Sequence, residues 1–570
     1  MKHLNLGAAL IGTLGVLGAV SCSSVPPSSQ AGNAPGVTVG NGIRASCIPA
    51  AVANRRAPLT GTVDPALRLQ LALQLPLRNQ PQLTQLLHDL YDPKNPRYHQ
   101  YLSPSEFTER FGPTVADYRK VVSWAKSKGL TVSATASNRR FVAIEAPVDT
   151  INRAFRVKIS NYRHPTEERI FYSADREPAA AGLSVPLLQI TGMSNYVLPR
   201  PMLQRGTAVN LSGSGPSGQY LPSDMRAAYY GKGPLTGAGQ TIGILSFDGY
   251  LASDVRLYYA KTRMVSKVPI KNVLVDGFSG ACTTVGSTPS STCDDGEQVL
   301  DIVNAIGMAP GLRQILFYEG SNDTQILNRM ATDNIAKVLS SSWSWNPEDA
   351  ASDDPIFQQF AAQGQSFVNA SGDSGAFNTA TYFFPGVDPY ITQVGGTELT
   401  TKGPGGAWSA ETAWPQSGGG YVMGIPIPTW QMLPGVLSTA NMGSTTVRNS
   451  PDVAAEANFD NLTVVNGQLL GGFGGTSFAA PRWAGFLALV NEQSMANGRG
   501  TVGFINPALY SLGVGPMGPS LFHDITSGRN APTIGEGPGF DAVPGYDLVT
   551  GWGSPAGPAL IDQLAGARPQ

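Results

Sequence analysis

Histidine is scarce in this 570-residue chain: five occur, and one of them, His3, sits in the leading apolar segment. His88, His99 and His164 follow in the first third, so His523 is the one imidazole left for everything beyond. A Ser-His-Asp triad needs a histidine within hydrogen-bond reach of the serine, so such a triad in the later part has a single choice of base. Cysteine is also sparse. Cys22, Cys47, Cys282 and Cys293 form neither a CxxC nor a Cys/His cluster, which excludes the common structural zinc sites. Charged residues make up only 14% and the net charge is −1, which argues against a general nucleic-acid binder. Beyond the N-terminal segment no apolar run is long enough to cross a bilayer.

Glycine (66) and proline (44) are abundant, with no collagen-like period, and 42% of residues are hydrophobic. That composition suits a large globular fold with many long loops, and the length implies two or three domains. Met1–Ser21 has Lys2 followed by LNLGAALIGTLGVLGAV, the pattern of a signal peptide. Export makes the expected location extracellular and permits disulfides. Ala19-Val20-Ser21-Cys22 is similar to a lipoprotein cleavage box, with Ala19 where leucine is usual, so Cys22 is a candidate lipid anchor. Cys282 and Cys293 bracket a short Thr/Ser/Gly/Pro-rich loop, where a bridge would contribute about 3 kcal/mol; the pairing of Cys47 is open and depends on whether Cys22 is lipidated.

Residues 22–56 read as a Ser/Pro/Gly-rich, disordered tether. Residues 57–197 read as a small α+β unit, with helices expected around Leu67–Tyr91 and Val115–Lys128 and an alternating strand at Phe141–Glu145. Residues 198–220 are a Gly/Ser/Pro-rich linker carrying Arg200 and Arg205, the kind of exposed segment where chains are nicked. Residues 221–570 contain apolar runs at 241–247, 314–319, 336–343, 365–373 and 391–397, separated by helical stretches. That alternation predicts an α/β domain with a mostly parallel central sheet, whose site forms at the carboxyl ends of the strands. Between residues 41 and 205 there are 22 Lys/Arg against 12 Asp/Glu; from 206 onward there are 16 against 28. A basic module joined to an acidic one implies mutual attraction.

Three segments carry chemistry. GGTSFAAP places Ser477 just inside an apolar helix, where free backbone N–H groups favour an oxyanion; read alone, it is equally an ordinary helix cap. In GEQVLD, Glu297 and Asp301 are four residues apart and share one helix face. Exposed, they are a solvated acidic face; buried, they must share a proton, leaving one carboxylate able to accept another. SGDSG puts Asp373 after a strand-like run, as a polar turn or as a carboxyl kept protonated to donate to an oxyanion.

Together and in this order, these segments resemble the sedolisin–kumamolisin family of serine-carboxyl peptidases. VGGT at 394–397, ETAW at 411–414, SPDVAA at 450–455 and the prodomain-like LHDLYDPKNPRYHQYLSPSEFTERFGP at 87–113 agree with it. The resemblance implies a subtilisin-like catalytic domain behind an inhibitory prodomain, acting on protein or peptide substrates. It implies Ser477 as nucleophile, Glu297 as base, Asp301 as its tuning partner and Asp373 as oxyanion donor. It also implies a calcium site at Asp524, Asp547 and the carbonyls of Ile525, Val543 and Gly545, although Val543 stands where the family has glycine. Hard oxygen donors of this kind suit Ca2+. A carboxylate base fits work in acid, where imidazole is protonated. The expected product is a secreted, monomeric proenzyme that cuts itself between about Arg200 and Tyr220 and sheds its basic prodomain as carboxylates protonate. Endopeptidase and tripeptidyl-peptidase action are both open, as are a His523-based hydrolase and a non-catalytic surface protein on the same scaffold.

Overall fold

Leu69, Leu71, Leu73 and Leu75 alternate along the chain, a period of two that suits a strand and not a helix. In the computed structural model Arg68–Gln74 is indeed a strand, and the helix runs only from Gln80 to Tyr91. The single helix expected over Leu67–Tyr91 is corrected accordingly. The structure describes residues 43–207, 211–282, 293–345, 352–377, 384–531 and 539–566. The signal segment, Cys22 and the tether up to Gly42 lie outside them, as do all the residues between Cys282 and Cys293, which are themselves disulfide-bonded. Among the described residues no helix is long and apolar enough to cross a membrane.

The first unit is a four-stranded antiparallel sheet in the order Thr131–Thr135, Phe141–Pro147, Arg68–Gln74, Ile190–Thr191. The helix Val115–Ser127 lays Val121, Trp124 and Ala125 onto Leu71 and Ile144 in its core. Ile43, Cys47 and Ile48 are buried in that same core and Ala50–Ala53 is helical, so the tether expected through residue 56 is packed from residue 43. The Cys47 thiol is buried, with Ile190 N–H donating to its sulfur at 3.3 Å.

The larger unit is built on an eight-stranded sheet. Its main path runs Ile270–Leu274, Gln314–Glu319, Thr241–Ser246, Val338–Ser341, Ser366–Ala370, Thr392–Thr401, Trp408–Ala413, and Val453–Glu456 also pairs Thr392–Thr401. All these pairs are parallel except the closing hairpin of Thr392–Thr401 with Trp408–Ala413. Each of the five apolar runs supplies one central strand. Two helices, Gly296–Met308 and Thr476–Ala496, pack against this sheet in one shared core with Ile244, Val338 and Val394. Pro481 sits in the second turn of the longer helix, where its missing N–H leaves the Ser477 carbonyl without its usual helical donor. That carbonyl lies 3.2 Å from Ser342 Oγ instead.

The small unit docks through neutral contacts. Tyr91 OH donates to Ala361 O at 2.7 Å, Tyr101 OH to Val502 O at 2.8 Å, Gln74 to Thr324 at 2.9 Å and Asn138 to Asn328 at 2.7 Å. Leu83, Leu86, Leu87, Leu90 and Phe107 join the large unit's core. Among the described residues no ion pair within 4.0 Å bridges the two units. Buried Arg140, whose charge is attracted by Asp353 and Asp354, expresses the basic–acidic split across the two units. The loosening in acid expected from that split therefore lacks the ion pairs that would carry it.

Candidate active site

The strand Gln468–Gly474 ends in a turn that only glycine makes comfortably: Gly475 has φ +133°. The turn delivers Thr476 and Ser477 into the first turn of the following helix, both fully buried. Ser477 Oγ donates to Glu297 Oε2 at 2.9 Å. The same oxygen touches the Met202 carbonyl and lies 3.5 Å from Ser342 O. Glu297 and Asp301 occupy the first turns of a helix whose every residue is buried, so the exposed acidic face is ruled out. Glu297 Oε1 and Asp301 Oδ2 are buried with no hydrogen-bond partner, the condition under which a carboxyl keeps a proton.

Burial, and then the charge of Asp301, hold Glu297 well above the usual carboxylate range; its bond to Ser477 pulls in the opposite direction. Burial likewise raises Asp301, against the Ser342 hydroxyl that lies 2.6 Å from its Oδ1. Ser342 Oγ has one hydrogen and two neighbours to satisfy, Asp301 and the Ser477 carbonyl. Its signal in the sequence was the run Ser340-Ser341-Ser342 at the end of a strand, which on its own points nowhere.

Asp373 is fixed from one side. Thr476 N–H and Thr476 Oγ1–H both donate to its Oδ1 at 2.8 Å, and Gly372 N–H donates to Thr476 Oγ1 at 3.0 Å. Its other oxygen, Oδ2, is buried with no partner. Burial raises the carboxyl to about 7. A Cβ on Gly475 would strike Met202 O at 2.3 Å and Asp373 Oδ2 at 2.6 Å, so these two oxygens flank one small space beside the serine. The four residues singled out from the sequence thus come together around one point.

The fifth participant was missed. Residues 198–220 were expected to be exposed, yet the first part of this linker runs through the cleft. Arg200–Pro201 pairs antiparallel with Trp343–Ser344, and Gln204–Arg205 with Phe473–Gly474. Met202 is buried, and its carbonyl accepts from Ser477 N–H at 3.4 Å. Composition marked the segment as flexible, but its backbone groups find partners on the cleft's edge strands.

Asp524 and Asp547 each hold the 543–545 loop: Gly545 N–H donates to Asp524 Oδ2 at 2.9 Å and Val543 N–H to Asp547 Oδ2 at 3.2 Å. Val543 lies outside the left-handed backbone region, so its replacement of glycine costs no strain, while Gly545 has φ +81°. Asp547 is fully buried and its carboxylate accepts from Val549 and Thr550 N–H at 2.8 and 2.7 Å. Among the described residues no basic side chain pairs with it, and burial raises it to about 7. A buried carboxylate held by N–H and hydroxyl donors, with no basic side chain among the described residues to balance its charge, is one that a hard dication could neutralise. His523, in contrast, stacks on Trp408 at 4.1 Å, and burial lowers it to about 4. It is not among the partners of the Ser477 hydroxyl.

Residues 280–500 match the subtilase family and residues 56–195 the pro-kumamolisin activation domain. The large unit is therefore a subtilisin-like peptidase domain and the small one an activation prodomain. Kumamolisin from Bacillus sp. (strain MN-32) is 31% identical over 497 residues, spanning 81% of this chain and 86% of its own. Sedolisin from Pseudomonas sp. (strain 101) is 28% identical over 528 residues, 85% of each chain. A solved Pseudomonas sedolisin, a serine-carboxyl proteinase complexed with pseudo-iodotyrostatin, aligns with a TM-score of 0.50 at 30% identity, covering 62% of this chain and 98% of its own. The chain belongs to the sedolisin–kumamolisin family of serine-carboxyl peptidases.

Proposed function

We propose that this peptidase works with a Ser477–Glu297–Asp301 triad, is active in acid, and is exported as a precursor held shut by its own prodomain. Glu297 takes the Ser477 Oγ proton as the oxygen attacks the scissile carbonyl, and returns it to the leaving amine. Asp301, one turn further along the same buried helix, tunes Glu297 through its charge. Asp373, protonated, and Ser477 N–H hold the oxyanion. The observation that carries this reading is the 2.9 Å bond from Ser477 Oγ to Glu297, in a site where no histidine among the described residues bonds the serine. Acid suits it because Asp373 is neutral below about 7 and donates only in that form. Lys2 and the apolar run after it support secretion. Calcium, held by Asp524, Asp547 and the carbonyls of Ile525, Val543 and Gly545, would supply charge and rigidity to the C-terminal loops.

Ser477→Ala and Glu297→Gln should each lower cleavage of a denatured protein at about pH 4 by at least ~10³-fold. Full activity in Glu297→Gln would overturn the role given to that residue.

A further inference from the structure

We propose that Met202–Leu203 is the first bond this precursor cuts in itself, an assignment that rests on the peptidase reading above. An extended chain pinned on both sides of a nucleophile is already in the pose that hydrolysis requires. Here the pinning is a strand pair on each side: Arg200–Pro201 on Trp343–Ser344 before the bond, Gln204–Arg205 on Phe473–Gly474 after it. Between them Met202 N–H donates to Ser342 O at 2.9 Å. The Met202 carbonyl is the one that meets both Ser477 Oγ and Ser477 N–H, and it shares its space with the unpartnered Asp373 Oδ2. The carbonyl of Arg200, by comparison, accepts from Ser344 Oγ, away from the serine.

The side chains on each side are lodged as well. Met202 is buried, with its sulfur 3.9 Å from Thr476 Oγ1. Leu203 packs on Leu300, Phe473 and Phe478. It closes over Gly296, where a Cβ would come within 3.3 Å of its Cδ2. Gln204 Nε2 donates to Asp373 O at 2.7 Å. The cleft therefore accepts an unbranched apolar residue before the bond and an aliphatic one after it. These are the substrate features expected of the released enzyme.

In the reaction, Ser477 Oγ bonds to the Met202 carbonyl carbon and its proton passes through Glu297 to the Leu203 nitrogen as the C–N bond breaks. Water then attacks the Met202 ester, gives one proton back through Glu297 to Ser477 Oγ, and leaves a Met202 carboxylic acid that keeps the other. One water is consumed, and the new chain begins at Leu203.

The test is a time course. The full precursor, its Ser477→Ala variant and its Met202→Asp variant are shifted to pH 4, quenched at intervals, and read by intact mass and N-terminal sequencing. The first new terminus should be Leu203 in the parent and absent in Ser477→Ala, and its appearance should slow at least tenfold in Met202→Asp. Because Met202→Asp can also fail by misfolding, the synthetic peptide LPRPMLQRG is given to the matured parent enzyme, which should cut it between Met and Leu. A different first terminus, with Glu297-dependent digestion of denatured protein intact, overturns the bond and leaves the peptidase reading standing. Absence of any digestion overturns both. A Leu203 terminus forming equally fast in purified Ser477→Ala overturns the self-cutting.

Discussion

Replacing Asp373 with asparagine separates a hydrogen-bond donor from a titrating group. With its carboxyl raised to about 7, Asp373 is neutral in about 99% of molecules at pH 5, in roughly a tenth at pH 8 and in about 1% at pH 9. The sign is fixed by the chemistry: the protonated form donates to the oxyanion, so activity is present below about 7 and lost as pH rises through it. At saturating substrate, kcat should fall about tenfold per unit on that limb. The filled cleft is the relevant state, since the linker occupies it as a substrate would. In Asp373→Asn the amide oxygen still accepts from Thr476, and the amide nitrogen takes over the Oδ2 position and donates at every pH. The plateau in acid should drop by about tenfold, short of the 10²–10³ typical of losing such a donor outright. The alkaline limb should disappear. Initial rates on a quenched fluorogenic peptide from pH 3 to 9, for parent, Asp373→Asn and Asp373→Ala, measure both effects. An unchanged alkaline limb in Asp373→Asn would show that the limb belongs to another group and that Asp373 is not the donor.

His523→Ala should leave kcat within about twofold of the parent while costing about 1 kcal/mol of stability through loss of the Trp408 stack; a 10³-fold loss would revive an imidazole base. Chelating calcium should lower the melting temperature by a few degrees, the scale expected when an ion at about a hundredfold over its Kd is withdrawn. Asp547→Asn should abolish that chelator sensitivity, and calorimetry with and without chelator checks both.

The candidate site residues were legible because each lies in a short segment whose local chemistry is unusual. Glu297 and Asp301 share a helix face by spacing alone, and Gly474-Gly475 ahead of Ser477 announces a tight turn into a helix. The apolar runs gave the parallel sheet for the same reason: strands buried on both faces have little polar interruption. What could not be read was set by tertiary contact. Ile270–Leu274 was missed because this edge strand buries almost nothing. Met202 and Ser342 reach the site only because strands far apart in the chain come together there. The linker looked flexible by composition, yet pairs its backbone on both sides of Ser477. The charge split was real as a count and misleading as an interface, because most of the basic side chains point to solvent or pair within the prodomain.

The direction of the pKa shifts also makes a prediction about how the precursor opens. Glu297, Asp301 and Asp373 are all raised by burial, and the linker is part of what buries them. At the prodomain interface Asp354 is raised to about 6, even against the charge of Arg140. A carboxyl whose pKa rises when a site fills holds more protons in the filled state, so lowering the pH from about 7 toward the ordinary value near 4 tightens occupancy. The effect is lost as pH rises through the raised values. Acid therefore seats the linker more firmly while protonating Asp373, the donor its cleavage needs. Opening then follows from breaking the chain, after which the two new ends can leave the cleft separately. A Ser477→Ala precursor, unable to cut, should stay closed at pH 4. Hydrogen exchange over residues 200–206, corrected for intrinsic rate, should be at least as slow there as at pH 7. Faster exchange at pH 4 would mean that titration alone releases the strand, and the order of protonation, cleavage and separation argued here would be wrong.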